Sequence, residues 1–169
     1  RSVEFLTAVA EKSHAYDLAD QETMHAWVAR ADSLAKTDDD WYLVAKAWAE
    51  LGVEDKATQA ADIYDGIRDD LDDLLVTIEL LTEVAPEAAA HRCMRILEDN
   101  TDPFTTASMI AECVEVLPEM VPKAVFTFLK QNGDCHECIM VLRAAKAHLN
   151  PAMCTALIHR ALKTVDDAF

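Results

Sequence analysis

Glycine is scarce, three residues in 169, which excludes phosphate-cradling loops built on closely spaced glycines. Also missing are runs that alternate apolar and polar residues with period two between turn residues, so strands are not expected. No apolar stretch approaches the ~20 residues of a bilayer span, and no charged-then-apolar leader opens the sequence. Basic residues are outnumbered, 15 Lys and Arg against 31 Asp and Glu, for a formal charge of -16. A surface of that sign repels phosphate backbones and anionic headgroups, so neither nucleic acid nor membrane is the expected partner. Its simplest role is solubility, with docking of basic partners as the other use. The five cysteines, an odd number scattered through helical patterns, fit a reduced, cytoplasmic protein better than a disulfide framework. The sequence begins at Arg1 without a methionine, which reads as a domain cut from a longer protein.

What is present is helix-forming. Apolar residues make up 51% of the chain, and Ala and Leu abound. Capping residues and prolines punctuate it at helix starts. Ser2 opens a helix carrying Phe5, Leu6 and Val9 toward Leu18; Asp20 opens one carrying Met24, Trp27, Val28, Ala31 and Leu34. The acids of Thr37–Asp40 begin a third, favoured by the helix dipole, and a fourth runs from Gly52 to Ile67. Asp69 or Asp70 starts a fifth with Leu74, Ile78, Leu81 and Val84. Pro86, Pro103 and Pro151 each take a first helical position, Asp102 and Asn150 capping the last two, while Pro118 and Pro122 mark another start. Asp134 with Glu137 forms a capping-box pair. About ten helices in five pairs are expected, with connections of two to five residues.

The pairs repeat. A step of 33 from Trp41, Ala45, Trp48, Gly52, Ala57, Ala61 and Tyr64 reaches Leu74, Ile78, Leu81, Ala85, Ala90, Met94 and Leu97. Two further steps of 32 reach Thr106, Ile110, Cys113, Leu117, Pro122, Phe126 and Leu129, then Cys138, Leu142, Ala145, Leu149, Cys154, Ile158 and Ala161. Backward by 33 lie Ala8, Lys12, Ala15, Ala19, Met24, Val28 and Ala31, with only Lys12 out of character. Such a period predicts one all-α domain over 1–169, a solenoid with units near 1–35, 36–67, 68–100, 101–132 and 133–169. In it Trp41 and Trp48 are core, and Tyr42, turned to the other face, is exposed.

The unit at 40–67 resembles the tetratricopeptide repeat: Trp41 at the Trp, Val44 and Ala45 at the Leu-Gly pair, Trp48 at the Tyr, Gly52 in the turn, Ala57 at the Ala and Ala61 at the Phe. It is shorter than the family's 34 residues and has no closing proline, and a HEAT-like array is the alternative. The resemblance implies a right-handed solenoid of about five antiparallel helix pairs and a non-enzymatic scaffold that binds a peptide or protein on its concave face. In that register Tyr42, Lys46, Leu75, Glu79, Phe104, Ile139 and Arg143 are the partner-binding candidates. The face runs from acidic rungs through an apolar rung to a basic one, suited to a segment of matching charge. Self-association is a further possibility.

Chemistry has one local candidate. Cys135, His136, Glu137 and Cys138 place a CxxC at a helix start, where a metal-binding or redox-sensing site using Cys135, His136 and Cys138 is the alternative reading. No second ligand pair follows at conventional spacing, and Cys93, Cys113, Cys138 and Cys154 fall in core slots, where a thiol acts as a small hydrophobe. No resident cofactor is expected. The clusters Asp38–Asp40 and Asp69, Asp70, Asp72 and Asp73 lack calcium-loop spacing and read as solvated helix starts. No serine sits in a nucleophile elbow. The remaining alternative is a helical domain that binds a small apolar ligand or belongs to a larger enzyme.

Overall fold

The structure, a computed structural model, describes residues 2–68, 71–99, 102–131 and 133–166. Ten α-helices account for most of them, and no strand occurs among the described residues: α1 Val3–Ala15, α2 Gln21–Asp32, α3 Asp38–Glu50, α4 Glu54–Ile67, α5 Leu71–Leu81, α6 Pro86–Asp99, α7 Pro103–Val116, α8 Val121–Phe128, α9 Cys135–Ala145 and α10 Pro151–Asp166. Short 3-10 turns at Pro118–Met120 and Lys146–His148 precede α8 and follow α9. The chain divides into two compact units, residues 1–89 and 90–169.

The helices start where capping chemistry directs. Ser2, Asp20, Thr37, Asp102 and Asp134 each accept a hydrogen bond from a backbone N–H in the first turn, meeting donors that the helix cannot satisfy itself. Thr37 and Asp134 complete capping boxes, the first with Asp40, so this aspartate binds the Thr37 N–H and does not merely face the dipole. Asn150 accepts from the Met153 N–H at 2.9 Å. Pro86, Pro103 and Pro151 are first helical residues, as expected; Pro118 opens a 3-10 turn and Pro122 lies inside α8. Asp69 and Asp70, the expected start of α5, lie outside the described residues. Three ends fall short of expectation: α1 stops at Ala15, not near Leu18, and Leu34 and Val84 follow α2 and α5 in turns.

In the first unit α1 packs on α2 and α3, α3 on α4, and α5 against α3 and α4. Val28, Val44, Ala45, Trp48, Ala57, Ala61, Ile78 and Leu81 fill its core. In the second unit α7 packs on α8 and α9, and α9 on α10, around Leu97, Met109, Ile110, Val121, Val125, Phe128, Val141 and Leu157. Within each unit, first helices of successive pairs touch one another.

Burial corrects the repeat register in several helices. In α1 the buried row is Leu6, Ala10 and Ser13, with Lys12 and Ala15 exposed. This row stands 35 residues before Ala45 and Trp48, as the cap Ser2 stands 35 before Thr37, whereas α2 keeps the step of 33 from Met24 to Ala57. The α1–α2 connection is therefore two residues longer than its α3–α4 counterpart. In α8 and α10 the buried residues are Val125 and Leu157, leaving their neighbours Phe126 56% and Ile158 48% exposed. Trp41 is only half-buried, while Trp48 is in the core as expected.

Candidate functional site

The Asp134 capping box starts α9 and fixes its rotation: Cys138, Val141 and Ala145 turn inward and are fully buried. Spacing then forces Ile139, Leu142, Arg143 and Lys146 onto the adjoining face, since residues three and four apart share a helix side. On α10, Leu157 and Ala161 make the buried row, so Cys154, Ile158 and Leu162 line up at i, i+4 and i+8 on the next. Arg160 reinforces this placement by donating to the backbone carbonyls of Phe128 and Gln131, pinning α10 to the end of α8.

Between α9 and α10 these rows enclose an open groove of about 350 Å³, lined by Ile139, Leu142, Arg143, Lys146, Cys154 and Ile158. Its floor is aliphatic and carries one thiol; both of its charged residues are basic. The two basic residues stand on a chain of net charge -16. Ile139 and Arg143 were expected at a binding face, and the structure brings them together here. Leu142, Cys154 and Ile158 were expected in the core. Adjacent apolar pairs such as Leu157-Ile158 gave no basis for choosing the buried row, and only packing of α10 on α9 selects Leu157.

The remaining predicted residues have other surroundings. Tyr42 is half-buried, not exposed, its ring 5.8 Å from that of Tyr64. Lys46 is held between Glu11 at 3.4 Å and Glu50 at 3.5 Å. Its ammonium is paired within the first unit by half-exposed contacts. Leu75 is half-buried and Glu79 exposed in that unit; Phe104 is exposed in the second.

The cysteine motif is divided by its helix. Cys138 faces the core, and burial pushes its thiol up to about 11, away from the thiolate that metal binding or redox attack needs. Cys135 is half-buried and His136 exposed; His136 donates its backbone N–H to Asp134. Among the described residues no group of three His, Cys, Asp or Glu side chains gathers as metal ligands.

The acidic clusters have a structural use that spacing did not disclose. Asp38 and Asp73 both accept from Arg68, at 2.5 and 3.5 Å, and Tyr64 donates to Asp73 at 2.8 Å. Arg68 thus joins the start of α3, the end of α4 and α5. Its guanidinium holds the Asp38 carboxyl below the usual carboxylate range. A lone cation amid the acids of 62–73 was the available signal.

Comparison of the chain with protein-family models, with curated proteins and with solved structures gave no match in any of the three.

Proposed function

We propose that the chain is a non-enzymatic, cytoplasmic protein-interaction module, built as a tetratricopeptide-like right-handed array, that holds a partner's apolar segment in the α9–α10 groove. The observation that carries this reading is the groove itself: exposed Ile139 and Ile158 over Leu142, bordered by Arg143 and Lys146 on an acidic molecule. An amphipathic helix with aliphatic anchors one turn apart and nearby Glu or Asp complements its apolar floor and basic border. The array reading draws support from first helices that touch in succession within each unit and from buried rows recurring every 31 to 35 residues. The groove's volume also suits a small apolar ligand, the second reading.

A displayed library of acidic amphipathic helices, selected against the full chain, tests the proposal. Selected peptides should bind the Ile139→Asp, Arg143→Glu double variant at least ~10-fold more weakly by fluorescence anisotropy, a loss of ~1.4 kcal/mol. The reading is lost if no helix is selected, or if selected helices bind a normally folded double variant equally well. Native mass spectrometry showing a retained apolar compound that peptide cannot displace would favour the small ligand instead.

A further inference from the structure

Cys93 on α6 and Cys113 on α7 fall in core slots of the repeat, which predicts two small hydrophobes. The structure buries both, as expected, and also sets them against each other. Their sulfurs are 2.9 Å apart, both side chains are buried, and the two positions lie 20 residues apart in the second unit. That separation exceeds the ~2.05 Å of a disulfide by less than ~1 Å. We propose that Cys93 and Cys113 are a redox-modification site, a dithiol that hydrogen peroxide converts to a disulfide tying α6 to α7.

The two thiols share one hydrogen bond, in which either sulfur can donate, and it lowers the Cys93 thiol below its ordinary range. The same bond, with burial behind it, raises Cys113. With Cys93 attacking, the Cys113 sulfur lies 2.9 Å away to resolve, and the reverse order balances identically. The Cys93 sulfur attacks one peroxide oxygen and the O–O bond breaks; the departing hydroxide takes up the proton that Cys93 lost and leaves as the first water. Cys93 is now a sulfenic acid. The Cys113 sulfur displaces its hydroxyl, the S–S bond forms, and the hydroxide carries off the Cys113 proton as the second water. Two electrons pass from the thiols to peroxide, and one peroxide becomes two waters.

Cys93 is 0% and Cys113 3% exposed, so peroxide, like a bulkier reagent, reaches them through local opening. Cys135 and Cys154 are half-buried and compete for oxidant, and Cys135 lies within electrostatic reach of the Cys138 thiol.

The test uses the full chain, reduced and desalted, alongside a Cys135→Ser, Cys154→Ser variant that keeps the buried pair. After peroxide treatment the variant should lose the mass of two hydrogens as a monomer, and alkylation under denaturing conditions should leave Cys93 and Cys113 unmodified in both proteins. A non-reducing digest should contain the peptide of Cys93 joined to that of Cys113. Oxidation should raise the melting temperature, and dithiothreitol should reverse both changes. The proposal is overturned if both thiols are still alkylated after peroxide treatment, or if peroxide takes Cys93 to sulfinic acid with Cys113 untouched.

Discussion

Two side chains of the first and second units illustrate how single contacts set pH behaviour. Tyr64 is buried and its hydroxyl donates to Asp73 at 2.8 Å. Burial first, and then the carboxylate, push its ionisation up to about 12. A group raised in the folded state stabilises fully below its unfolded value of ~10 and loses that contribution as pH climbs through the folded one. Wild type should therefore lose stability relative to Tyr64→Phe between pH ~10 and ~12. Chemical denaturation at stepped alkaline pH would show it, and parallel curves for the two proteins would refute it. Asp102 works in the opposite direction. The Thr105 hydroxyl, then the Thr105 N–H, hold its carboxyl below the usual range. Its contribution is present above ~3.9 and fades as pH falls through the folded value, so the stability gap between wild type and Asp102→Asn should close in acid. A gap that is constant from pH 6 to 2 would mean that hydrogen bonding, without charge, makes the cap.

At the scale of the element, α1 and α3 end in the same way with different residues. Leu18 donates to the Ser13 carbonyl and Asp17 to that of His14; Val53 donates to Trp48 and Gly52 to Ala49. Each is a Schellman closure, which needs a left-handed residue just past the helix: Asp17 has φ 53° and Gly52 φ 70°. Glycine adopts this backbone freely, and aspartate does so at a cost. A Cβ on Gly52 would meet nothing within 4 Å, so Gly52→Ala isolates the backbone effect and should cost ~1–2 kcal/mol. Asp17→Gly should be stabilising by up to ~1 kcal/mol. Urea unfolding measures both, and a destabilised Asp17→Gly would show that the aspartate side chain matters more than its backbone strain. The pairing of these two closures also explains why a step of 33 failed in α1. Asp17 lies 35 residues before Gly52, so the matching landmark existed in the sequence, but an aspartate does not announce a left-handed turn as a glycine does.

For the whole molecule, charge is the dominant surface property. A net -16 on 169 residues is largely uncompensated, and the ion pairs of Arg68 and Lys46 are solvent-exposed or half-exposed contacts of small individual value. Raising salt from ~0.01 to ~0.15 M shortens the screening length from ~30 to ~8 Å and should relieve more repulsion than it weakens attraction. The melting temperature should rise over that interval; a fall would mean that the Arg68 cluster outweighs the remaining acids. The same acidity gives the two basic residues of the α9–α10 groove their contrast with the rest of the surface.

Helix number, most helix starts and the burial of Trp48 were determined by the sequence, because capping, proline placement and 3.6-residue periodicity act within a turn or two of the chain. Ile139 and Arg143 were legible as neighbours on one face for the same local reason. The tertiary structure decided what depends on distant partners. It chose Leu157 over Ile158 and Val125 over Phe126, half-exposed Trp41, paired Lys46 with Glu11 from another helix, and set Cys93 against Cys113. Adjacent apolar residues are equivalent to a helix in isolation. Only the packing of a second helix, which buries one row and leaves the other in water, distinguishes them.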